Sequence, residues 1–303
     1  MPTRAETTGH VNNTTTRGIH MVVYQSWNER SAIGREIFNV YDSNQYREHV
    51  LTYGGTGLFA QTAEGTSVTY NAPVEGYLTT FTHLKYTDGL RFTEEMWGDD
   101  LNGVMEDSPR ELGEGAWATE ETTLANHFNN GFDSTAATFA DGVAFFDTAH
   151  IRENGETYRN EPTTAADLST STVEAALIDY RNFRTGGGRR LAIKPKCLLV
   201  PPDLEYKARR IMGSSHTPEN DSNAIQPIKG VLDVKVWDYL TDTNAWFILP
   251  DKKDHHLNMY DRQDFTTSDV VDFDSGDLKF KAVYRQSSGM GDPRGLYGSP
   301  GVG

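Results

Sequence analysis

The sequence predicts an α+β fold, and three observations carry that expectation. Leu278, Phe280, Ala282 and Tyr284 alternate with Lys279, Lys281 and Arg285, the period-two pattern of a strand with one buried face. Val173, Ala176, Leu177, Tyr180 and Phe183 recur at the spacing of one helix face. Strand and helix signals are mixed along the chain, and the strands read as mostly antiparallel.

The 303 residues are enough for one large core or two smaller ones, at roughly 100–200 residues per domain. With 37% hydrophobic and 11% aromatic residues the composition is globular. The net charge of -15 comes from 28 basic and 43 acidic side chains. Phosphate backbones are bound by Lys and Arg, so this balance argues against tight nucleic-acid binding. Cys197 is the one cysteine and lies in the apolar run Cys197-Leu-Leu-Val, which reads as a buried structural thiol in a reducing compartment. The N-terminus lacks the apolar core of a secretory signal, and no run approaches the ~18–20 apolar residues that cross a bilayer. The expectation is a chain made and folded in a cytoplasm, with no membrane partner.

Residues 1 to about 20 are polar, with the run Thr14-Thr-Thr, and read as a mobile arm unless a neighbour orders them. Ser31–Asn44 reads as a short mixed helix or strand. A long Gly/Thr-rich hairpin follows, turning at Glu64-Gly65, with Leu58/Ala60 and Val68/Tyr70 at period two on its flanks. So few apolar residues give it no core of its own, so it is either a disordered insertion or an arm that packs on another subunit. A second hairpin is expected from Leu78–Tyr86 and Leu90–Glu94 about Asp88-Gly89, a strong turn dipeptide.

Trp97, Leu101, Val104 and Met105 share one helix face. Ser108-Pro-Arg-Glu111 reads as a fresh helix start with a Ser N-cap, and Leu112, Ala116, Leu124 and Phe128 form the next stripe. Glycines 113 and 115 weaken it, so a spine bent or broken near residue 108 is expected. Ser171-Thr-Val-Glu174 reads as a capping box for the helix that carries Val173–Phe183 and stops at Gly186-Gly-Gly188. Lys196–Val200 reads as a buried strand, and Pro201-Pro202 opens a helix that runs through Met212 to Gly213. Ser214–Asn223 reads as a polar loop. Leu232/Val234/Val236 and Ala245–Leu249 read as strands either side of a Thr241–Asn244 turn, and a Ser275-Gly276 turn leads into the strand at 278–285.

Phosphate-loop, His-Glu-x-x-His, Gly-x-Ser-x-Gly and paired-Cys signatures are all missing from the sequence. Gly54-Gly-Thr-Gly57 lacks the strand–turn–helix setting of a phosphate site and reads as a flexible loop. His255-His256 matches no standard metal spacing and reads as a solvated polar loop, and His150 reads as structural. Asp272-Phe-Asp-Ser-Gly-Asp277 lacks the later Glu of a calcium loop and reads as a β-turn. Asp99-Asp100 fits the dipole of a helix start. No catalytic, cofactor or metal residue is expected.

From Val50 to Phe132 the motifs fall in a recognisable order. A long Gly/Thr hairpin precedes Gly76-Tyr-x-x-Thr80-Phe-x-His83 and Thr93-x-Glu95-Met-x-x-Asp99-Asp100. Next come Pro109-x-x-Leu112-Gly113, Thr119-x-Glu121-x-x-x-Ala125-Asn126-x-Phe128-Asn129 and Asp141-Gly-Val-Ala-Phe-Phe146. The chain ends in Arg294-Gly-Leu-Tyr-Gly-Ser-Pro-Gly301. Over roughly residues 30–303 it resembles the Mu-like major head subunits of tailed bacteriophages. Only about thirty residues precede that region, fewer than the scaffolding segment some of those proteins carry, and Met1 favours a separate scaffold over a removed one.

The resemblance implies the phage major capsid fold, which encapsulins share. It implies an N-terminal arm at 1–49, an extended loop at 50–78, a peripheral domain with the spine helix at 79–139 and 266–303, and an axial domain at 140–265. The peripheral sheet would combine 78–95 with 269–286. The function it implies is that of a virion structural protein, not an enzyme and without cofactors. Such a protein self-assembles into the hexamers and pentamers of an icosahedral head around double-stranded DNA, in the host bacterial cytoplasm. Its partners would be itself, portal and scaffold proteins, and decoration or minor capsid proteins, with DNA enclosed without sequence-specific binding. In the extended loop Leu58, Phe59, Gln61, Thr62, Glu64, Val68 and Tyr70 would contact a neighbouring subunit. The alternatives are an encapsulin-like shell with a protein cargo, and a soluble hydrolase with a lid at 50–78, for which the sequence offers no acid or His cluster.

Overall fold

In the computed structural model the described residues are 17–29, 32–55, 57–68, 70, 75–98, 104–216 and 225–302. Helix α1 (17–28) comes first. Its Ile19, Val23 and Ser26 are buried at the 4 and 3 spacings of one stripe. Residues 17–20 of the expected mobile arm are therefore helical; residues 1–16 lie outside the described residues.

After α1, α2 (Ile33–Ile37) leads into β1 (Asn39–Asp42), as the mixed reading of 31–44 expected. Strands β2 (Arg47–Tyr53) and β3 (Glu75–Thr82) pair as an antiparallel ribbon. Then follow β4 (Leu84–Phe92), α3 (Glu94–Gly98) and the 26-residue spine α4 (Val104–Asn129). Next come β5 (His150–Ile151), β6 (Thr157–Tyr158), α5 (Thr170–Arg181), β7 (Pro195–Val200) and α6 (Glu205–Gly213). Strands β8 (Asp233–Val236), β9 (Trp246–Pro250), β10 (Leu257–Val271), β11 (Leu278–Met290) and β12 (Tyr297–Ser299) complete the order.

Two four-stranded sheets organise the molecule. One runs β1-β10-β11-β4, with β1 parallel to β10 and the other pairs antiparallel. The other runs β12-β9-β7-β8, with β7 and β8 parallel. The N-terminal half of α4 and α1 cover the first sheet through Ile19, Val23, Leu112 and Phe280. Helices α5 and α6 cover the second through Val173, Tyr180, Ile211 and Ile248. The last turns of α4 bring Leu124 and Phe128 into a third core with Phe146, Phe247 and Leu257, between the two sheets.

Mixed helix and sheet, the alternating strand at 278–285, the α5 face and the Pro-started α6 are all present. Several local expectations need correction. Asp88-Gly89 is not a turn: both lie inside β4, paired with Ala282 and Lys281 of β11. A Cβ at Gly89 would approach Phe280 O to 2.8 Å, so the glycine serves close strand approach rather than chain reversal. The expected second hairpin does not form: β3 and β4, separated by His83, belong to different sheets.

The spine is neither restarted nor broken at Ser108, because Pro109 sits within a continuous helix. Gly113 is where α1 crosses it, since a Cβ there would overlap Ser26 Oγ and lie 2.5 Å from Val23 O. The α5 capping box uses Ser169 and Thr172, two residues earlier than expected, and the helix ends at Arg181 rather than at the three glycines. Strands β8 and β9 are not neighbours, because β7 lies between them. The 15-residue β10 was not anticipated: beyond Leu257, Met259 and Phe265 it is largely polar. Asp99, Asp100, Leu101 and part of the 214–223 loop fall outside the described residues, as does the side chain of Trp97.

Candidate assembly interface

The extended segment is built on a rigid foot. In β2 and β3 alternate residues face the body, and Thr52 and Phe81 are buried. Thr52 Oγ1 accepts the Tyr77 N–H at 2.6 Å, and Gly76 permits the approach, since its Cβ would fall 2.5 Å from Thr52 O. Tyr77 packs edge-on against Phe139 and its hydroxyl donates to Ile151 O at 3.1 Å. Phe81 meets Tyr260, with ring centroids 5.2 Å apart. At the far end of the ribbon His83 is hydrogen-bonded to Ser43 (3.1 Å) and Ser287 (3.0 Å), and Ser43 donates to Glu48. Burial holds the His83 imidazole below its ordinary pKa.

The opposite face of the ribbon points outward, with His49, Leu51, Tyr53, Leu78 and Thr80 exposed. That apolar patch was legible as the alternation His49/Leu51/Tyr53, and the sequence reading missed it.

Gly54 is buried rather than flexible. Its carbonyl accepts the Gly187 N–H at 2.7 Å, so the two glycine clusters of the sequence meet. A side chain at Gly186 would overlap the Glu153 carboxylate and come within 2.8 Å of Gly54 Cα. Gly186 is therefore glycine because a backbone and a buried carboxylate converge on it, whereas Gly55 and Gly188 hold left-handed φ values of +71° and +82°.

Beyond this foot the predicted strands at Leu58/Ala60 and Val68/Tyr70 do not form, because no second layer exists to bury one face of them. The turn does form: Thr66 N–H donates to Ala63 O at 3.2 Å and Gly65 has φ +80°. Leu58 (81% exposed), Phe59 (96%), Val68 (67%) and Tyr70 (92%) stand in solvent, and Gln61, Thr62 and Glu64 are exposed beside them. None of the seven enters a cleft of its own chain.

The remaining candidates are structural. His150 is buried, with Nδ1 2.7 Å from Asp141 and Nε2 3.2 Å from Phe145 O; Asp141 lies nine residues upstream in a turn, a partner no motif marks. His255 is buried and accepts the Leu257 N–H at 3.2 Å, correcting the solvated-loop reading. Burial pushes the Cys197 thiol up to about 12. The Asp272–Asp277 segment is a turn closed by Gly276 N–H to Asp272 O, with Asp277 held by Arg91. Among the described residues no group of His, Cys, Asp or Glu has the arrangement of a metal site. No helix among them is long and apolar enough to cross a membrane.

The family model described as phage capsid protein matches residues 77–299. No curated protein matches the sequence. Among solved structures, the capsid of bacteriophage JBD30 decorated with minor capsid protein trimers matches at TM-score 0.54 and 18% identity, covering 68% of this chain and 90% of that one. The capsid of a native GTA particle matches at TM-score 0.58 and 11% identity, covering 88% and 89%. A virus-like particle from Pyrococcus furiosus matches at TM-score 0.55 and 11% identity, covering 93% and 98%.

Proposed function

This chain belongs to the phage capsid protein family, and on that premise we propose that its exposed loop is the arm that ties subunits into a shell. The protein is a structural subunit of the phage head and not an enzyme. The loop 50–78 lies over a neighbouring subunit, and Leu58, Phe59, Gln61, Thr62, Glu64, Val68 and Tyr70 make the contact. Copies join in this way into hexamers and pentamers, since heterologous contacts that close build rings and shells from one chain.

The observation that carries the arm is the contrast within one segment. The foot is locked by Thr52, Tyr77 and Gly54, while Phe59 and Tyr70 at the tip are almost wholly exposed. An arm that must find a neighbour needs this combination of a rigid root and an unpartnered apolar end.

The domain plan follows from the same reading: arm 1–49, extended loop 50–78, peripheral domain 79–139 with 266–303, and axial domain 140–265. The core under α4 and β11, on which α1 of the arm also packs, supports the peripheral part, and the core under α5 and α6, which Tyr297 of the last segment joins, supports the axial part. The head encloses double-stranded DNA, and a chain at -15 gives it a wall that does not trap phosphate. Portal, scaffold and decoration or minor capsid proteins are its further partners, and assembly takes place in the host cytoplasm. An encapsulin-like container is disfavoured, because the matching family is that of phage capsids.

Deleting Leu58–Tyr70 tests the arm. The truncated subunit is expected to stay folded and soluble but to form no stable shells by electron microscopy. Intact shells from the deletion would sink the assignment.

A further inference from the structure

A basic hairpin lies at the root of the extended loop. Residues 181–196 hold Arg181, Arg184, Arg189, Arg190, Lys194 and Lys196, and none of the chain's 43 acidic residues. The rest of the chain is thus more acidic still than its net -15. Four backbone bonds shape the hairpin: Thr185 N–H to Arg189 O, Gly188 N–H to Thr185 O, Leu191 N–H to Phe183 O, and Gly187 N–H to Gly54 O across to the ribbon.

All six cations are exposed, and among the described residues local acids leave five of them unpaired. Asp179, just before the run, is occupied by Arg159 at 2.8 and 2.9 Å. Glu153, beneath Gly186, is held by Arg294 at 2.9 and 3.1 Å. Lys196 alone is paired, with Asp251. Among the described residues Arg181, Arg184, Arg189, Arg190 and Lys194 have no ion pair.

We propose that this hairpin docks on an acidic face of a second copy of the chain and supplies the electrostatic attraction that lets strongly acidic subunits associate. The proposal rests on the shell-forming reading and names the chemistry of one contact within it. Charge complementarity carries it. Subunits of -15 repel one another, six of the 28 basic side chains fall within these 16 residues with no acid among them, and the hairpin is bonded to the foot of the arm. Nucleic acid is the less favoured occupant, because a chain of net charge -15 repels phosphate overall.

The test is assembly of the full chain carrying R189Q/R190Q/K194Q. These three side chains make no hydrogen bond to the described residues, whereas Arg184 is kept because its Nη1 donates to Gly188 O at 2.8 Å. Thermal unfolding of the free subunit checks folding, and R189K/R190K serves as a charge-keeping control. Near ~0.15 M salt, where screening acts over ~8 Å, the triple variant is expected to lose roughly tenfold in assembled fraction, a step worth ~1.4 kcal/mol. The parent is expected to lose assembly steeply as salt rises, and the control to behave as the parent. Undiminished assembly of the folded triple variant overturns the proposal. So does a variant that forms empty shells normally and fails only to retain DNA, which would make nucleic acid the partner. If the parent itself forms no shells under any condition, the shell-forming reading fails, and the proposal with it.

Discussion

Trp237 donates its indole N–H to the carboxylate of Glu121 at 2.7 Å, joining the middle of the spine helix to the segment that follows β8. The same buried carboxylate accepts the Gly34 N–H at 3.0 and 3.2 Å. One spine residue thus satisfies donors from two other elements, and burial raises its pKa while these bonds oppose the rise. Replacing Glu121 by Leu strands both donors. Stability is expected to fall by about 2–4 kcal/mol, measured by denaturant unfolding of the free subunit. Glu121→Gln, which keeps one acceptor, should cost less than half of that.

Two glycines on the spine predict opposite outcomes. In an exposed helix interior Gly→Ala normally stabilises by about 1 kcal/mol. Gly115 faces open space, so Gly115→Ala should raise the melting temperature. Gly113 lies against Ser26 and Val23 O, so Gly113→Ala should lower it and expose α1 to proteolysis. Equal shifts for the two would contradict the crossing of α1 over the spine.

Acid should destabilise the subunit through His127 and His255, both pushed down to about 4 by burial. Unfolded histidine titrates near 6.5. Between those values the unfolded chain binds more protons, so stability present above pH ~6.5 is lost as pH falls towards ~4. The double variant H127Q/H255N should show a shallower decline in melting temperature across this window. An unchanged slope would remove these residues from the account.

Glu161 works in the other direction. Burial, followed by the nearby Asp147, raises its carboxyl to about 7. The folded state therefore holds its proton longer than the unfolded state, whose carboxyl titrates near 4.3. Stability declines as pH rises from about 4.3 to about 7 and levels off above that. Glu161→Gln should remove this decline, which calorimetry at pH 5 and pH 8 would read as a smaller difference between the two.

Gly186→Ala tests the junction between ribbon and basic hairpin. Its Cβ would overlap the Glu153 carboxylate and crowd Gly54 Cα at 2.8 Å. The variant should remain folded, because α5 and β7 do not depend on the junction, while amide exchange at Gly187 speeds up by roughly tenfold or more. Unaltered exchange at Gly187 would mean the two backbones are not coupled as the geometry requires.

Legibility in the sequence followed burial. The α5 face and the β11 alternation were readable because each presents an apolar stripe to a generic core, whatever its partner. The exposed loop was readable for the converse reason: with few apolar residues it has nothing to bury. Strand β10 was hidden because it is buried mainly at its Leu257–Met259 end, while its other half is largely polar and exposed. Asp88-Gly89 misled because a local turn propensity was overridden by nine paired positions along β11. The foot of the candidate interface was the least legible part. Neither Gly54 nor Gly187 carries a side chain to announce that the two meet.

By itself the sequence determined the periodicities, and hence the α+β class, the buried faces and a polar loop with an unpartnered apolar tip. Tertiary structure alone decided which strands pair, with β1 parallel to β10 and β7 between β8 and β9. It also decided that the two glycine clusters join the arm to a basic hairpin. The division is physical. Periodicity is set by side chains within a few residues, whereas pairing and close approach are settled by contacts far apart in the chain, whose loop-closure cost grows only slowly with separation.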